Sequence, residues 1–107
     1  MAKKTITLFN GPAAAGVTSL DDIDLNAYEY AVLYLKLADK PTGNFTYNLY
    51  AHETVTNTFT SVAGSVLSAD GTQRINLGRL TDEKYRLEFS SPGSGATVAA
   101  LLVVEDA

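Results

Sequence analysis

The stretch Tyr28-Glu29-Tyr30-Ala31-Val32-Leu33-Tyr34-Leu35-Lys36-Leu37-Ala38 constrains the fold more than any other part of the chain. One alternate set, Ala31, Leu33, Leu35 and Leu37, is wholly apolar. The other set carries Tyr28, Tyr30, Val32, Tyr34 and Lys36. In an extended chain successive side chains point to opposite faces, so this pattern predicts a long strand with one face given to a core.

Similar runs recur to the end of the chain. Thr5 to Phe9 alternates hydroxyl and apolar residues until Asn10-Gly11-Pro12 stops it, which predicts a first strand. Ala13 to Ser19 reads as a small-residue connector carrying a short strand around Val17. Ser19-Leu20-Asp21-Asp22 has the outline of a capping box, but no helical-period run follows, so one turn is the most it supports. Phe45 to Ala51 places Phe45, Tyr47, Leu49 and Ala51 on one face. The turn chemistry of Asp39-Lys40-Pro41-Thr42-Gly43-Asn44 before it predicts an antiparallel hairpin with the 28–38 strand.

Thr56 to Leu67 is a third long run, with Gly64 as the expected bulge. Asp70-Gly71 reads as the centre of a hairpin turn into Gln73 to Leu77. Glu83 to Ser90 alternates with Tyr85, Leu87 and Phe89 inward and Lys84, Arg86 and Glu88 outward. After the turn Ser91-Pro92-Gly93-Ser94-Gly95, the last run, Ala96 to Val104, is apolar on both faces, and both then need cover. About seven or eight short strands and no long helical pattern predict an all-β fold, an antiparallel two-sheet β-sandwich or jelly roll. Residues 1–107 read as one such domain, with 1–15 either an N-terminal arm or a first strand paired within its own sandwich.

A chain of 107 residues buries roughly two thirds of its unfolded surface, enough to need no disulfide or metal staple. It holds no cysteine, which removes thiolate zinc sites, iron–sulfur clusters and thiol chemistry. Charged residues make up 19% of the chain, below the usual quarter, and the net charge is −4. Without a basic run it lacks the electrostatic footprint of a nucleic-acid binder. The apolar stretch 98–104 is far short of a membrane span, and Met1 to Pro12 is too polar for a secretion signal, so the expectation is a protein made in the cytosol with no membrane partner.

Candidate chemistry is sparse. His52 is the only histidine, and nothing near it in sequence supplies a nucleophile or an oxyanion hole, so it is read as a surface residue. Asp21, Asp22 and Asp24 form a carboxylate cluster without the spacing of a calcium loop; solvated acids leading into a strand are the plainer reading. The Gly-rich turn 91–95 lacks the lysine and following helix of a phosphate cradle. The residues predict no catalytic site, no metal site and no cofactor. Tyr28, Tyr30 and Tyr34, sharing one face with Val32, have three readings: packing under loops, a protein interface, or a sugar platform, the last weakened by the absence of tryptophan.

Asp70-Gly71-Thr72-Gln73-Arg74-Ile75-Asn76-Leu77-Gly78, Tyr85-Arg86-Leu87-Glu88-Phe89, the stretch from Gly95 to Asp106, and Ile23-Asp24-Leu25-Asn26-Ala27-Tyr28 together resemble the small virion proteins of tailed bacteriophages. The likeness is one of texture over about 80 residues and is similar to that of head decoration (cement) proteins. It implies a non-enzymatic capsid decoration protein, located in the virion. It also implies association with the major capsid protein or another virion protein and with its own copies, a trimer being favoured. On that reading Lys3, Lys4 and Thr5 of the N-terminal segment, with Tyr28, Tyr30 and Tyr34, are the partner-binding candidates. The rivals are a tail or head–tail accessory subunit and a carbohydrate-binding module.

Overall fold

Apolar sets alternate at 31–37, 45–51, 85–89 and 98–104, and all four are satisfied together if four strands turn them toward one interior. The computed structural model, which describes residues 3–106, does this with eight strands. They are β1 (Lys3–Pro12), β2 (Gly16–Asp24), β3 (Tyr30–Ala38), β4 (Phe45–Glu53), β5 (Thr58–Leu67), β6 (Gly71–Arg79), β7 (Lys84–Ser91) and β8 (Thr97–Glu105). No helix occurs among the described residues. The strands form two antiparallel four-stranded sheets, ordered β1-β8-β3-β6 and β2-β7-β4-β5, as the β-sandwich expectation required.

The winding is that of one long hairpin rolled up: the first strand pairs with the last, β2 with β7, β3 with β6 and β4 with β5. The central strands β8, β3, β7 and β4 supply most of the core. Leu33, Leu35, Leu49, Leu87, Val98, Ala100, Leu102 and Val104 are completely buried. Each such aliphatic side chain larger than alanine contributes about 1.5–3 kcal/mol of transfer free energy. Phe89 links the layers, meeting Phe9 of β1 edge-on at 5.1 Å and stacking on Phe45 at 5.6 Å.

Two expected hairpins are crossovers instead. The turn at 39–44 carries the chain from β3 in the first sheet to β4 in the second, and 68–70 carries it from β5 back to β6. Both segments lie at one end of the sandwich, where Asp70 joins them: its carboxylate accepts the backbone N–H of Asp39 at 3.2 Å and of Lys40 at 3.0 Å, one on each oxygen. Turn residues reverse the chain, but they do not choose the sheet it enters. That choice falls to the burial of two apolar faces against each other. Among the described residues only β4 and β5 pair as consecutive strands, through a turn in which the Glu53 carboxylate receives the N–H groups of Val55 and Thr56.

Two further expectations change. The segment 19–22 is no helical turn; it lies within β2 as a bulge, with Asp22 at φ 56°, and the extra residue keeps both Leu20 and Ile23 against the core. Gly64 is not the bulge of β5, where the register slips between Ala63 and Ser61. Gly64 is needed for closeness, since a Cβ there would stand 2.3 Å from Asn48 Oδ1 and 2.9 Å from the Tyr47 carbonyl oxygen. Residues 3–12 of the expected arm are paired along β8 as an edge strand; Met1 and Ala2 lie outside the described residues.

Candidate interaction faces

A sandwich leaves each sheet one outward face. On the first sheet β3 presents Tyr30, Val32, Tyr34 and Lys36, and β8 presents Ala99, Leu101 and Val103. Val32 stands opposite Val103, Tyr34 opposite Leu101 and Lys36 opposite Ala99. From the flanks, β1 sets Thr5 against Val103 and β6 sets Arg74 against Tyr34. Ala99, Leu101 and Val103 are half-buried, the outer half of the run that was apolar on both sides. They share a shallow apolar depression with Tyr34, Lys36 and Thr72. Val103 and Tyr34 also line the neighbouring depression, beside Lys3, Tyr30, Arg74 and Glu105. Arg74 Nε donates to the Tyr34 hydroxyl at 3.0 Å, its guanidinium 5.8 Å from the ring centre, which holds the tyrosine in place.

Of the six candidate partner-binding residues, Lys3, Thr5, Tyr30 and Tyr34 come together on this face. Lys4 falls in the alternate set with Ile6, opposite the buried Val104, and stays exposed along the sheet edge. Tyr28 is corrected: β3 begins at Tyr30, and Tyr28 sits in the preceding turn, its N–H on the Leu25 carbonyl at 3.0 Å and its ring half-buried against the core. The expected row of three tyrosines is therefore a pair. Leu101, Val103, Lys36 and Arg74 were not singled out from the sequence. The two-sided apolarity of 96–104 was the one available signal, and cross-strand register is what gathers them.

The second sheet's outer face is mostly ion pairs and amides. Asp21 is ion-paired with Arg86, and Asp24 with Lys84 at 3.4 Å. The Arg86 hydrogen bond holds the Asp21 carboxyl below the usual aspartate value. The backbone N–H of Asn26, helped by Lys84, does the same for Asp24. Glu53 is lowered by the hydroxyl and N–H of Thr56 and the N–H of Val55. Among the described residues no group of three or more acids, histidines or cysteines is placed to hold a metal ion.

His52 stacks on Phe59 of β5 with ring centres 4.1 Å apart and planes 8° from parallel, and its Nε2 lies 2.9 Å from Asn57 Oδ1. The Arg86 guanidinium lies 3.9 Å from the centre of the same Phe59 ring. These groups border a shallow depression with Asp21 and Asp22, whose lining includes no hydroxyl or thiol nucleophile. The arrangement braces a surface. No helix of the described residues is long and apolar enough to cross a membrane.

The class these observations define is an eight-stranded antiparallel β-sandwich with two open faces. No protein-family model matches the chain, and no curated protein does. Solved structures share the fold. Over 98% of its length the chain resembles a chain from Bacillus endospore appendages, a family of disulfide-linked pili, at TM-score 0.66 and 16% identity, covering 87% of that chain. It resembles the SPBc2 prophage-derived protein YomS at TM-score 0.59 and 12% identity, over 95% of this chain and 93% of that one. It also resembles the PBSX exported protein XepA at TM-score 0.68 and 15% identity, over 97% of this chain but only 37% of that one. At such identities the likeness is one of fold.

Proposed function

We propose that this chain is a non-enzymatic virion structural protein of a tailed bacteriophage, a decoration protein that covers the outer capsid surface and associates with its own copies. The observation that carries the reading is the outer face of the first sheet. Val32, Tyr34, Leu101 and Val103 form an apolar centre on a sheet whose other face is already buried. Solvent-facing strands ordinarily alternate to polar residues, whereas this face sets tyrosine among half-buried aliphatics, and enrichment in tyrosine marks an interface centre. The prophage-derived YomS and the PBSX protein XepA lend weight to a phage setting. The strand order supports reading the sandwich as a jelly roll, a winding used by viral capsid domains. The chain has no cysteine, so no disulfide of its own joins its copies.

A partner that binds only the assembled lattice stabilises it by mass action, and repetition over a shell multiplies a modest contact. The test is co-sedimentation with empty capsids built from the major capsid protein of the same genome, together with capsid melting. Binding and a raised melting temperature are expected, with binding at least tenfold weaker for Leu101→Glu. Absence of binding by the folded wild-type chain overturns the capsid role. Binding to a glycan array that is lost on Tyr30→Ala would establish the sugar-binding alternative.

A further inference from the structure

The two outer faces differ in the charge that remains once ion pairs within the fold are set aside. On the first sheet Lys36 stands in register with Ala99 and Thr72, and Arg74 with Tyr34, so neither faces a carboxylate. The acids of that side, Glu29 and Glu105, gather at the far rim near Arg79 and Lys3. On the second sheet Arg86 and Lys84 are taken by Asp21 and Asp24. Glu88 is left at mid-face between Ser19 of β2 and Asn48 of β4, without an ion pair among the described residues. The same face exposes Val17 at 67% and Val66 at 58%. One face is thus apolar with uncompensated cations, and the other polar with an uncompensated carboxylate and exposed valines.

We propose that the outer face of the first sheet docks on the outer face of the second sheet of another copy, with Lys36 and Arg74 brought to Glu88 and Leu101 and Val103 covered by the apposed sheet. The proposal deepens the self-association assumed above and rests on that reading. Two first-sheet faces do not suit each other, because Lys36 and Arg74 would be desolvated against their own copies. The molecule measures 41 × 31 × 18 Å, so its broad faces suffice for the ~800 Å² per partner of a standard interface. Since the faces lie back to back across the thin dimension, the contact is head-to-tail and does not close at three copies. Packed sheets lie about 10 Å apart, so two sheets per copy give a stack repeating every ~20 Å.

Lys36→Glu and Glu88→Lys test this. Among the described residues neither side chain has an ion-pair partner, so both variants should melt like the wild type. Wild-type chain should form concentration-dependent stacks at low salt, seen by sedimentation and electron microscopy, that weaken on raising salt to about 0.5 M. Each variant alone should associate roughly tenfold to a hundredfold more weakly. Mixing the two should restore association, because each variant keeps the face the other now complements. A chain that stays monomeric at about 1 mM, or a Lys36→Glu variant that associates more tightly than the wild type, overturns the proposal. Capsid co-sedimentation of the wild-type chain, diluted below the concentration at which it stacks so that the first-sheet face is free, reports separately on the virion role.

Discussion

Replacing Asp70 by alanine is a direct test of how the two crossovers are held. Its carboxylate receives two backbone N–H groups, from Asp39 at 3.2 Å and Lys40 at 3.0 Å, across 31 and 30 residues of chain. Asp39 itself has φ 55°, a conformation that gains from being pinned. Hydrogen bonds to a charged acceptor are worth about 1.5–3 kcal/mol when buried; this site is exposed, which reduces each to about 0.5–1 kcal/mol. Loss of both should cost about 1–2 kcal/mol. A chain of 107 residues unfolds with an entropy near 0.2 kcal/mol per kelvin. The melting temperature should therefore fall by about 5–10 °C in calorimetry. Asp70→Asn retains one carbonyl acceptor and should lose about half as much. A change of less than about 2 °C in the alanine variant would refute the clamp, as would an asparagine variant no better than alanine.

Phe89→Ala removes the ring that joins Phe9 to Phe45 and should cost about 3–5 kcal/mol, or ~15–20 °C in melting temperature; a loss under about 1 kcal/mol would mean that the interior closes over the gap. Gly64→Ala should destabilise by about 1–2 kcal/mol in urea titration, because the Tyr47 carbonyl is backbone and cannot swing aside as Asn48 can; a stabilised variant would show that the two strands part freely. Asp21, Asp24 and Glu53 titrate lower when folded, so their contribution is present above the ordinary carboxylate values and is lost as the pH falls through the depressed ones. Denaturation midpoints should hold between about pH 5 and 9 and drop toward about pH 3; an unchanged acid midpoint contradicts the ion pairs. Burial raises the Tyr47 and Tyr85 hydroxyls, so stability should also decline as the pH rises beyond about 10, and a flat alkaline limb would contradict their desolvation.

Local alternation was enough to settle the set of strands and the inward side of most of them. Leu33, Leu35 and Leu37, Tyr47 and Leu49, Leu87 and Phe89 are all buried as their alternation required, because side-chain direction in a strand is a local property of period two. Where one extra residue breaks that period, as at Asp21–Asp22, the continuous strand β2 was not legible, since a bulge looks like an interruption. Which strand lies beside which was settled by long-range packing. Asp39–Asn44 and Asp70–Gly71 carry ordinary turn chemistry, yet both lead into the opposite sheet, because two apolar faces gain more by covering each other than neighbouring strands gain by sharing a hairpin. The candidate face shows the same division. Tyr30 and Tyr34 were visible as a pair on one strand, whereas their apposition to Val103, Leu101 and Arg74 arises from residues some 40 to 75 positions away in the chain, brought alongside only by the register of β8 and β6 on β3.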